Sequence, residues 1–151
     1  MKNLWRHSIL TLLIVALPVA AWAELGGTAA SIQTDQVQMK ATLRPAVSNP
    51  NYSVHEIQTP QGVTVKEFVS ANGTVFAVAW NGPTMPDLQQ LLGQYFDSYT
   101  TAAKTPHAGH KHLTISQRGL VVESQGHMRA FFGKAYIPTM LPTGVTAAEL
   151  K

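Results

Sequence analysis

Cysteine is absent from this 151-residue chain. Its absence excludes disulfides, thiolate catalysis, thiolate-ligated metals and lipid attachment at an N-terminal cysteine. Charge is scarce too, at 13% of residues. The formal net charge is +3, but two of the 11 Lys and Arg, Lys2 and Arg6, fall within the first 23 residues, which carry no acid. The remaining nine face eight Asp and Glu. A near-neutral chain without a basic stripe argues against nucleic acid as a partner. Also missing is an apolar run of the ~20 residues needed to span a bilayer. The longest, Ile9 to Leu17, is cut off by Pro18.

What those first residues do carry is the pattern of a cleavable export signal. Lys2 and Arg6 make a basic start, Ile9 to Leu17 an apolar centre, and Ala21-Trp22-Ala23 puts small side chains where a signal peptidase requires them. Cleavage after Ala23 is expected, giving a periplasmic or secreted chain of 128 residues with no stable membrane anchor. The alternative, an uncleaved anchor, is opposed by the short apolar run. A chain of that length is sized for a single domain at 24–151 with a real core.

Two turn signals define the next stretch. Ile32, Val37, Met39 and Leu43 fit a short amphipathic helix stopped by Pro45, and Asn49-Pro50-Asn51 marks a break. Pro60-Gln61-Gly62 and Asn72-Gly73 then read as hairpin loops of a three-stranded meander. Those loops set Ile57 opposite Val65, His55 opposite Glu67, Glu67 opposite Val78, and Val69 opposite Phe76. One face would then carry Ile57, Val63, Val65, Val69, Phe76, Val78 and Trp80 as core. The other would pair Glu56 with Lys66 as cross-strand charges.

Downstream, Leu88, Leu91, Leu92, Tyr95, Phe96 and Tyr99 follow helical spacing after Pro86-Asp87. Leu113–Ser116 and Leu120–Glu123 read as strands, Gln125-Gly126 as a turn, and His127–Tyr136 as a long strand, with a last turn at Ala147–Lys151. The expected class is α+β: an antiparallel sheet, made of the meander plus a second hairpin, packed against one main amphipathic helix.

Four groups of residues carry candidate chemistry. His55 and Glu67 would bring an imidazole against a carboxylate on an apolar face, the ingredients of a proton-transfer dyad, although a structural hydrogen-bonded pair is the commoner arrangement. His107, His110 and His112 offer metal-ligating imidazoles, but no acid or cysteine nearby completes a set. Glu123-Ser124-Gln125-Gly126-His127-Met128-Arg129 gathers catalytic residue types without a nucleophile elbow. With the turn at Gln125-Gly126, Ser124 would face His127 and Arg129 would face Val122, and Arg129 could hold an anion. Trp80-Asn81-Gly82-Pro83, between strand and helix, could wall a ligand pocket.

Several of these segments together resemble a known family. They are Leu25-Gly26-Gly27, His55-Glu56-Ile57, Gly73 to Trp80 with Gly82-Pro83, Pro86-Asp87-Leu88, Leu91-Leu92-Gly93, Tyr95-Phe96, Val121 to Ser124, Gly126 to Phe131, and Gly133 to Pro142. The chain is similar, over nearly its whole length, to the small exported proteobacterial proteins of domain of unknown function 2844. That resemblance implies export and a single domain, and it supplies no activity, cofactor or catalytic residue. Thr105 to His112 lies outside the shared segments.

The expected function is therefore non-catalytic binding of a protein or small-molecule ligand in the cell envelope, through Trp80, His127 and Arg129, without a cofactor. One alternative is a small hydrolase-like acid–base enzyme using His55 and Glu67. Another is a metal-binding protein using His107, His110 and His112.

Overall fold

The computed structural model describes residues 24–104 and 112–151. Residues 1–23, expected to form an export signal, and His107 and His110 lie outside the described residues. Eight antiparallel strands form one sheet: β1 (Thr42–Leu43), β2 (Val47–Ser48), β3 (Tyr52–Gln58), β4 (Thr64–Ser70), β5 (Val75–Gly82), β6 (His112–Gln117), β7 (Leu120–His127) and β8 (Ala130–Tyr136). Their order is β1-β3-β4-β5-β8-β7-β6, with β2 also on β3. The meander and the C-terminal three-stranded unit thus join through β5 and β8. This is the α+β class that the sequence implies.

One face of the sheet is covered by α1 (Ile32–Gln38), α2 (Leu88–Leu92) and α3 (Phe96–Ala103). Between them and the sheet lies the main core, in which Leu25, Ile32, Leu91 and Leu92 meet Ile57, Val65, Val78 and Val122. The opposite face carries a smaller core, where Val145 and Leu150 of the C-terminal segment pack on Phe68, Phe76 and Ala77. In that segment a 3-10 turn at Ala147–Glu149 is closed by reciprocal Thr146 and Glu149 bonds. No helix among the described residues is long and apolar enough to cross a membrane.

Most of the expected meander register is observed: His55 faces Glu67, Ile57 faces Val65, and Glu67 faces Val78. It departs at the second turn. The Ser70 amide bonds the Thr74 carbonyl, Gly73 takes φ +81°, and Val69 faces Val75 rather than Phe76. The ladder shifts between Phe68 and Val69, leaving Phe76 as an extra residue on β5. This bulge sends Phe76 away from the helix-side core to the opposite face, where its ring lies edge-on to Tyr52 at 5.9 Å.

Three helical and turn expectations are also corrected. α1 ends at Gln38, leaving Val37 exposed and placing Leu43 in β1. The single helix after Asp87 is interrupted: Gly93, at φ +48°, ends α2, and a 3-10 turn at Gly93–Tyr95 leads into α3. Glycine suits this break, because φ is positive and a Cβ there would collide with the Glu24 side chain. The last hairpin turns at Met128-Arg129, with Arg129 at φ +66°, not at Gln125-Gly126. Gly126 lies within β7 because the Phe131 ring occupies the space a Cβ would need. Ser124 consequently faces Gly133, Val122 faces Ala135, and His127 faces Ala130.

Candidate functional site

The sheet's outward face holds a cleft of about 680 Å3 between the strands and the C-terminal segment. Strand alternation builds it, because residues paired across neighbouring strands share a face. One row runs Glu56, Lys66, Ala79, Lys134, Glu123 across β3, β4, β5, β8 and β7. The next runs Thr64, Asn81, Phe132, Gln125. Ala79 makes a low floor flanked by two lysines, and Phe132 leaves 47% of its surface exposed beside it.

The charges in this cleft are unevenly engaged. Glu56, expected to pair with Lys66, instead binds Arg44 at 2.8 Å. Lys66 donates to the main-chain oxygen of Lys151 at 3.0 Å, and Lys134 to that of Ala147 at 2.6 Å, with Glu123 3.4 Å away. Both ammonium groups thus hold the C-terminal segment, Lys66 at the terminal residue and Lys134 at the Ala147 carbonyl while also paired with Glu123, so the two lysines converge on the cleft among the carboxylates of Glu56 and Glu123. Trp80 contributes to the cleft wall but is buried in the helix-side core, where its indole fills the space above Gly133. His127 and Arg129 lie further out, exposed at the tip of the β7–β8 hairpin and outside the lining. The structure does not bring these three expected binding residues together.

His55 and Glu67 face each other across β3 and β4, yet their side chains have different partners. His55 is half-buried, contacts Ser53 Oγ through Nε2 at 3.3 Å, and lines a shallow cleft with Ser53 and Val69. Burial holds its pKa below the usual value. Glu67 is completely buried and lies outside that cleft. With Glu67 fully buried, the described residues do not present the two groups jointly to a substrate.

The partner of Glu67 is Asp35 on α1. Both side chains are fully buried and lie close enough for each to perturb the other. Gln90 Nε2 on α2 donates to Asp35 Oδ1 at 2.7 Å, while Asp35 Oδ2 and both Glu67 oxygens have no hydrogen-bond partner among the described residues. Two carboxylates cannot bond each other without a proton between them. Burial is the main cause pushing both pKa values up, reinforced by each acid's charge on the other or on its neighbours; that of Asp35 rises to about 6. A sequence signal for this pair exists: Asp35 follows the buried Ile32 by three residues, which puts it on the packed face of α1.

Among the described residues, no three His, Asp or Glu converge as a metal site. His112 stands at the start of β6 and contacts Thr114 Oγ1 at 2.9 Å.

An antiparallel α+β domain with a helix-covered face and a cleft on the other defines the structural class. The model of the family described as a protein of unknown function (DUF2844) matches residues 21–150, and the chain belongs to that family. No curated protein matches the chain. No solved structure matches it either.

Proposed function

We propose that this is a non-catalytic binding protein of the cell envelope, exported through its N-terminal signal, and that the outward cleft is its ligand site. The observation that carries this reading is the juxtaposition, in one cleft, of two ammonium groups, an exposed aromatic ring and a row of amides. Lys66 and Lys134 flank the Ala79 floor, Phe132 lies alongside, and Asn81 and Gln125 offer paired donors and acceptors. Concave sites that combine apolar walls with a few convergent polar groups are the usual form of small-ligand pockets. The ligand class that fits is a small carboxylate with an apolar body: its charge meets the lysines and its body lies on Ala79 and Phe132.

A thermal-shift series tests this on the purified protein, using short-chain and aromatic carboxylates, inorganic phosphate and neutral sugars. Carboxylates are expected to raise the melting temperature in proportion to occupancy, and Lys66→Gln with Lys134→Gln to abolish the shift. Stabilisation by neutral sugars alone, or a shift unchanged in the double variant, contradicts the proposed ligand class. A protein recovered from the periplasm with an N-terminus at Glu24 supports the export reading, and retention of residues 1–23 opposes it.

A further inference from the structure

We infer that a proton held between Asp35 and Glu67 latches α1 onto the sheet, so that the helix is released when the pair becomes fully ionised. Among the described residues the pair has few partners of its own. Of the four carboxyl oxygens, only Asp35 Oδ1 receives a protein donor, from Gln90. The charged groups facing the pair are acidic on each element that supplies one: Glu24 from the N-terminal segment and Asp87 at the start of α2. β3 presents His55 opposite Glu67, and β5 presents Val78. None of these neighbours is a lysine or an arginine. A dianion buried in this setting has no lysine or arginine counter-ion among the described residues, and a buried charge without a partner is strongly disfavoured.

The N-terminal region is held in two separable ways. Residues 25–29 are stitched to the sheet by backbone bonds, including Gly26 N to the Val75 carbonyl at 2.8 Å and Ala29 N to the Gly73 carbonyl at 2.9 Å. α1 is held by Ile32 in the core and by the contacts of Asp35 with Gln90 and Glu67. Loss of the shared proton therefore frees α1 while leaving the preceding segment in place. The upward-shifted titration of both acids is consistent with a proton retained across the neutral range.

Amide hydrogen exchange of the purified protein between pH 5 and pH 9, corrected for intrinsic rates, reads the latch directly. The reporters are the amides of Met39 and Ala41, which bond the Asp35 and Gln36 carbonyls. Gly26 and Val75 are internal controls. If opening releases one proton, protection at the reporters falls about tenfold per pH unit while that of the controls does not. Glu67→Gln replaces the proton with an amide donor and should flatten the reporter profile. Equal slopes at reporters and controls, a flat profile in the unmodified protein, or an unchanged slope in Glu67→Gln overturns the inference. Should that variant fail to fold, carbon-13 titration of the two carboxyls in the unmodified protein decides: ionisation of both below pH 6 overturns the latch, and a proton retained above it supports the latch.

Discussion

Glu67 shows how far cross-strand register reaches and where it stops. Its position opposite His55 is legible because loop lengths fix which residues face each other. Its actual partner belongs to a helix that crosses the sheet, and that contact depends on how α1 docks. Asp35 was recognisable only as an acid on the same helical face as Ile32. Because His55 is half-buried with Ser53 as its contact, His55→Gln is expected to change stability by no more than about 0.5 kcal/mol, the range of ordinary surface substitutions. The carbon-13 titration of Glu67 should be unchanged in that variant. A large displacement of the Glu67 titration would restore the histidine as its partner.

Among the elements, the second meander turn has the largest consequence. Asn72-Gly73 is a correct turn signal, but the loop closes between Ser70 and Thr74, and the resulting bulge turns Phe76 to the other face. Alternation alone cannot register that extra residue, which is why Phe76 was assigned to the helix-side core. Its destination is the aromatic cluster with Tyr52 and Phe68, fully buried beneath the C-terminal segment. Phe76→Ala should cost about 3–5 kcal/mol in urea unfolding, as large aromatic truncations in cores do. It should also perturb the resonances of Val145 and Leu150 more than those of Leu91 and Leu92. The reverse pattern would return Phe76 to the helix side. The β7–β8 hairpin gives the same lesson, since Gly126 signals a close approach by Phe131 and not a turn.

For the whole molecule, the C-terminal strand order decides what could be read in advance. The α+β class and the meander follow from local patterns. The cleft does not, because Lys134, Phe132 and Gln125 join Lys66 and Asn81 only once β8 is placed beside β5. The buried acids contribute a pH dependence to the whole fold, opposed near neutral pH by His55, whose lowered pKa favours the folded state as pH rises. When unfolded the two acids ionise near pH 4, and when folded they retain protons above it. The folded chain then binds more protons than the unfolded one, so stability falls as pH rises, by about 1.4 kcal/mol per pH unit for each retained proton. Two protons contribute up to about pH 6, where Asp35 titrates, and one above it. Urea unfolding at pH 5 and pH 8 should show the protein weaker at pH 8, with the difference reduced in Glu67→Gln. Greater stability at pH 8 would contradict protonated burial of the pair.

The cleft is the central functional claim, and an amide chemical-shift map during titration with benzoate tests it most directly. Saturable changes are expected centred on Lys66, Ala79, Asn81, Phe132 and Lys134, with the hairpin tip at His127 and Arg129 unmoved. Saturable changes centred at that tip, or none in the cleft up to millimolar benzoate, would contradict it.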